Sequence, residues 1–119
     1  MAKSILLEKA DNFAHNVYQV TRKFPKEELY SLTSQLRRSA LSVPLNITEG
    51  FARQNRKEHR HFLEIAYGSL KESSYLIEFS LKEGYLTQEE FDELFLASGE
   101  IARILWKQIQ TLKSSISKQ

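Results

Sequence analysis

The stretch RQNRKEHRH, residues 53–61, holds the densest charge chemistry of the chain. Arg53, Arg56, Lys57 and Arg60 stand against one acid, Glu58, four against one, or +3. Clustered guanidinium and ammonium groups neutralise phosphates and release counterions, giving sequence-independent affinity that falls with salt. Gln54, Asn55 and His59 add polar side chains to the same stretch. No Phe, Tyr or Trp lies within residues 52–61 to stack on a base. Taken alone, a +3 loop on a protein of net charge +2 favours the other reading, a solvated loop whose charges serve solubility and subunit contacts.

Metal chemistry has a weaker signature. Glu58 and His61 form Glu-x-x-His, with Glu64 a turn on. A di-iron site in a helical bundle needs a second such motif and two further inward glutamates. The remaining histidine, His15, has Asn12 three residues before it, so the second motif is missing. His59 and His61 are two apart, a spacing that does not turn both toward one ion on a helix. Ser69, in Tyr67-Gly68-Ser69-Leu70-Lys71, lacks a nucleophile elbow. The four glycines are too dispersed for a phosphate loop. Without cysteine there is no disulfide, thiolate or Cys-type zinc site. No catalytic residue, metal or cofactor is assigned, and a non-enzymatic protein is expected.

Composition fits a globular chain, 41% hydrophobic and 27% charged. The N-terminal Ser-Ile-Leu-Leu patch is too short for a secretory core. No apolar run approaches the roughly 20 residues of a membrane span. A cytoplasmic protein without membrane contact is expected, and there the sequon Asn46-Ile47-Thr48 is chance.

The elements that must position these residues are helices. Leu6, Ala10, Phe13, Val17, Val20 and Phe24 step by three and four, as do Leu29, Leu32, Leu36, Ala40, Val43 and Ile47. A third segment, about 56–83, has a broad apolar face that includes Ile65 and Phe79. A fourth carries Phe91, Leu94, Phe95, Ile101, Leu105 and Ile109. Pro25 is placed to start helix two. Asn55 and Thr87 open capping boxes with Glu58 and Glu90, and Gly84 suits a left-handed helix end. Gly68, Ala66, Ser69 and Ser73 make a small-residue surface for close helix approach. The fold class is all-α: an antiparallel up-down-up-down four-helix bundle, with helix two kinked at Pro44 and ended or turned by Gly50. Arg38, Ser42, Asn46 and Glu49 share one face of that helix. This polar stripe is either a flank with partners on neighbouring helices or a subunit interface or ligand groove organised by the kink.

In such a bundle the basic loop shares an end with both termini, which add Lys3, Lys113 and Lys118. The other end holds Glu27, Glu28, Glu83, Glu89, Glu90, Asp92 and Glu93 against Arg22, Lys23, Lys26 and Lys82, seven against four, or −3. The molecule is predicted to be basic at one end and acidic at the other.

The run LRRSALSVPLNITEGFAR, followed by FLEIAYGSLKESSYLIEFSLKEGYL, resembles the four-helix-bundle proteins encoded within intervening sequences of bacterial large-subunit ribosomal RNA genes. Accessory proteins of diversity-generating retroelements share that bundle. Leu36 to Ala40, Val43-Pro44, Glu49-Gly50-Phe51, Gly68-Ser69-Leu70 and Gly84-Tyr85-Leu86 carry the resemblance; Ala52 stands where the family usually has glycine. The resemblance implies a ring-shaped homopentamer with a role involving RNA or DNA. Arg53, Arg56, Lys57 and Arg60 are the expected phosphate contacts, with Arg37 and Arg38 joining them or holding the interface. The alternative is an oligomeric adaptor for a protein partner such as a reverse transcriptase or a ribosomal component.

Overall fold

Ser4 opens the first helix by accepting the Leu7 N–H at 3.2 Å. Helix α1 then runs Ile5–Thr21 in the computed structural model, which describes residues 4–117. Pro25 does not start the second helix. Its ψ of 142° is extended, and a short 3-10 turn, Lys26–Glu28, follows. Proline fixes φ but leaves ψ free, so it permits a helix start without imposing one. Helix α2 is Leu32–Phe51. Leu29 therefore leaves the predicted stripe and is largely exposed, beside Tyr30 at 93%.

Helix α2 continues through Pro44. Ala40, Val43 and Ile47 on either side are all fully buried. Proline removes the donor that Ala40 would otherwise receive and costs about 3 kcal/mol inside a helix. Burial of large side chains contributes about 1.5–3 kcal/mol each, and the apolar face of α2 exceeds that penalty. Gly50 does not end this helix either, because α2 extends to Phe51 and Ala52 caps it in helical geometry.

Asn55 caps α3, Arg56–Lys82, its side-chain oxygen accepting from the Lys57 and Glu58 N–H groups at 2.8 and 3.2 Å. At the far end Gly84 has φ +80°. The Tyr85 N–H reaches the Ser80 carbonyl and the Gly84 N–H the Leu81 carbonyl, the two bonds of a Schellman motif. Helix α4, Gln88–Ser117, opens with a reciprocal capping box: Thr87 accepts the Glu90 N–H at 3.1 Å, and Glu90 accepts the Thr87 N–H at 2.9 Å.

Each helix packs on its neighbours in sequence, and α1 closes against α4; the diagonal pairs stay apart among the described residues. The bundle measures 51 × 28 × 24 Å. Cross-helix pairs run in opposite senses. Ser39–Ser73 and Ser42–Ser69 tie α2 to α3, while Ser74–Ser98 and Arg56–Ser115 tie α3 to α4. Lys9–Glu100 and Lys23–Glu90 do the same for α1 and α4. Phe13, Leu36, Leu63, Leu70, Ile101 and Leu105 fill the centre.

The α2–α3 seam is made of small residues. Ala66 and Ser73 are fully buried there, and Ser39 and Ser73 share a 2.8 Å hydrogen bond. Gly68 is not part of it: it faces outward, with nothing near where a Cβ would stand. Gly50 takes that role. A Cβ on Gly50 would lie 3.0 Å from His59 Cδ2 and 3.3 Å from both the His59 carbonyl oxygen and Phe62 Cβ. Ile65, Phe79 and Phe95, expected inside, are 38%, 42% and 44% exposed.

The two glycines give a paired prediction. Gly50→Ala should lower unfolding free energy by about 1–2 kcal/mol through overpacking. Gly68→Ala should raise it by about 0.5–1 kcal/mol through helix propensity. Urea midpoints of the two variants should move in opposite directions; equal shifts would refute the close seam.

Candidate nucleic-acid interface

Helix α3 begins immediately after the four-residue turn 52–55, so its first turns carry the basic cluster to one end of the bundle. Arg53 bonds Glu49, one turn back, with Nη2 3.1 Å from Oε2. Its guanidinium lies 4.8 Å from the centre of the Phe62 ring. Arg60 sits beside Glu64, Nε to Oε1 at 3.5 Å. That contact is ionic: the buried Nε has no hydrogen-bond partner. Arg56 donates to the Ser115 hydroxyl of α4. Lys57 is exposed and its ammonium has no partner among the described residues. Counting Glu49 and Glu64 beside Glu58, the hairpin holds four cations against three acids. Its field is weaker than the loop sequence implies.

The cation surplus continues elsewhere. Arg56, Arg60, Tyr67 and Lys71 follow one another at helical spacing along α3, on the flank turned to α4. Across the seam, Arg103 and Lys107 occupy the matching flank of α4. Lys71 and Arg103 line one open concavity with Tyr67 and Trp106. Lys107 lines a second with Trp106 and Ser115. Among the described residues, five cations thus share this face with two carboxylates, Glu64 beside Arg60 and Glu78, which lines a neighbouring concavity with Lys71. Glu100, near Arg103, lies toward α1, where a hydrogen bond from Lys9 holds its carboxyl below the usual range. Sequence reasoning missed Lys71, Arg103 and Lys107 because they lie far from the loop in the chain. The signal available was the register shared by α3 and α4.

Arg37 and Arg38 do not join the cluster. Arg37 Nε donates to Thr21 Oγ1 at 2.8 Å, and its guanidinium lies over Tyr18, so it clamps the end of α1 to the start of α2. Arg38 is exposed without a partner among the described residues. In the polar stripe, Ser42 bonds Ser69 at 2.9 Å, and the Asn46 amide donates to the Ser42 carbonyl and hydroxyl. Among the described residues, only Ser42 of the four reaches a neighbouring helix, and Glu49 turns to Arg53. Lys3 and Lys118 lie outside the described residues.

The opposite end is tied together by its acids. Tyr85 donates to Glu28 at 2.9 Å, and Glu28 also accepts from Ser31. The Ser31 bond, then that from Tyr85, lowers the Glu28 pKa, and the same contact raises that of Tyr85. Lys23 bonds Glu90 across the two connections; with the Thr87 N–H it lowers the Glu90 pKa.

His59 and His61 diverge. His59 packs edge-on to Phe51 against Gly50, and His61 lies against Phe62 at the surface. Among the described residues, no three potential ligands converge as a metal site. None of their helices is long and apolar enough to cross a membrane.

The model of the family described as 23S rRNA-intervening sequence protein matches residues 2–107. The chain belongs to this family. Its bundle is similar to a solved structure, that of a protein with unknown function from the S23 ribosomal protein family of Bacteroides thetaiotaomicron VPI-5482. The TM-score is 0.83 at 24% identity, over 88% of this chain and 98% of that one. At this identity the likeness concerns the fold. A search of the curated proteins returns no match. The 23S rRNA-intervening sequence family match therefore spans both the hairpin and the α3–α4 face through Lys107.

His59 gives this end a pH dependence. Its Nε2 is buried without a partner, and burial lowers the imidazole pKa. The folded chain therefore takes up a proton at His59 less readily than the unfolded chain, which binds one below about pH 6.5. The unfolded state then holds more protons, so stability falls as pH falls from about 6.5. Urea midpoints between pH 7 and 5 should decline in the wild type, and less steeply in His59→Gln. Identical slopes would remove His59 as the cause.

Proposed function

We propose that this member of the family is a non-enzymatic, cytoplasmic, self-assembling bundle that binds RNA or DNA weakly through its basic face. The supporting observation is the run of exposed cations that begins at the hairpin and continues along α3 and α4. Arg56, Lys57 and Lys107 are its phosphate contacts, none of them in an ion pair with a carboxylate among the described residues. Arg53 and Arg60 contribute less, because Glu49 and Glu64 already offset them. Repetition around a homopentamer, the assembly implied by the family resemblance, would multiply the field and the avidity.

Self-assembly has its own support. Leu41 and Leu45, one turn apart on the outer face of α2, are 49% and 57% exposed. Light scattering at micromolar concentration should return a multiple of 13.9 kDa, and Leu41→Glu with Leu45→Glu should return the monomer. A stable wild-type monomer would refute assembly. The adaptor role draws support from Leu29 and Tyr30, which stand exposed among the carboxylates of the acidic end.

Binding is tested by anisotropy with an RNA hairpin and a matched DNA duplex at several salt concentrations. Affinity should fall steeply with salt. Replacing Arg56, Lys57 and Lys107 with alanine should make the log–log salt slope shallower by about 3, leaving the urea midpoint in place. An unchanged slope would refute the assignment of these cations.

A further inference from the structure

Trp106 is the only tryptophan of the chain, and it is 54% exposed on the outer flank of α4. Tyr67 of α3 supports it from beneath, with ring centres 5.8 Å apart and planes tilted by 45°. Tyr67 is fixed in turn: it packs on the core and holds Lys71 Nζ 5.3 Å from its ring centre. The indole is therefore anchored on one side and open on the other. It also forms the wall between the two concavities on this face, of about 490 and 690 Å³. Both are shallow and open to solvent, so a ligand here would lie along the surface. Gly99 and Ala102 help line the first, beside Lys71 and Arg103; Lys107, Gln110 and Ser115 help line the second.

An exposed aromatic plane with cations on both sides is how proteins hold unpaired nucleotides. Bases stack on the ring, and Lys and Arg follow the backbone. A double helix cannot use such a plane, because its bases are already stacked on one another. We infer that the α3–α4 face takes single-stranded nucleic acid, with Trp106 as the stacking platform and Lys71, Arg103 and Lys107 at the phosphates. This rests on the nucleic-acid reading above and adds the ligand's form. Residues 52–61 hold no Phe, Tyr or Trp; the exposed ring stands further along the same face, where α4 brings Trp106 against Tyr67. A protein segment is the competing occupant of an exposed tryptophan, but five cations against two carboxylates, Glu64 and Glu78, among the described residues favour a polyanion.

The lone tryptophan makes the test direct, because emission from the intact chain reports this site alone. The nuclease-treated protein is titrated at low salt with unstructured oligo-A and oligo-U, a matched duplex, and inorganic polyphosphate, reading anisotropy or competition alongside tryptophan emission. Single strands should quench the emission saturably; duplex and polyphosphate should bind without quenching it. Trp106→Ala should weaken single-strand binding about tenfold and leave duplex binding unchanged. Trp106→Phe should retain most of the affinity. Single-strand binding without quenching, and with full affinity in Trp106→Ala, would overturn the platform and leave the phosphate reading standing. No binding of any polyanion would overturn both. Emission that is buried at working concentration and becomes exposed on dilution would show a second copy on Trp106, and would also overturn the platform.

Discussion

The approach of α2 to α3 at Gly50 is the constraint on which the rest of the bundle depends. The absent side chain leaves room for the His59 ring and backbone just after the turn. Ser39, Ser42, Ala66, Ser69 and Ser73 continue the close fit along the seam. Once these small residues face α2, the rotation of α3 about its axis is fixed. Arg56, Tyr67 and Lys71 then fall on the flank toward α4, while Ile65, Tyr75 and Phe79 face outward. The composition of the basic face is thus a consequence of packing on the opposite flank of the same helix.

Much of this was legible in the sequence. Periodicity of three and four identified the helices, and the Asn55 and Thr87 caps and Gly84 marked their limits, because those signals are local. Register through Pro44 was legible for the same reason: Ala40, Val43 and Ile47 keep their spacing across it. The errors arose where geometry is not local. Pro25 suits a helix start, but the chain turns there first. Gly68 and Gly50 are alike as letters; only the neighbouring helix decides which one is crowded. Arg37 and Arg38 read as part of a basic group until Thr21 and Tyr18 claim the first of them. Lys71, Arg103, Trp106 and Lys107 meet only after α3 and α4 pair.

Charge in this protein is arranged more by partnership than by count. The loop cluster looks strongest in sequence, yet two of its arginines have carboxylates a turn away. The acidic end looks repulsive, yet Tyr85, Ser31 and Lys23 convert part of it into cross-links. What is left for other molecules is a flank where cations outnumber carboxylates and surround a held aromatic ring. Buried serines on the other seam have already spent their hydrogen bonds on each other, and so offer little to a ligand.

The closure of α1 against α4 has a consequence for the order in which the molecule forms. Among the described residues, every other helix contact joins neighbours along the chain, across connections of four to ten residues. The α1–α4 contact alone spans nearly the whole chain, it is the least extensive, and Lys9–Glu100 and Lys23–Glu90 bridge it. Loop-closure entropy therefore falls chiefly on this seam. The bundle behaves as a pleated ribbon that is zipped last along one edge. That edge is where transient opening should concentrate, exposing Phe13 and Ala97 before any other part of the core.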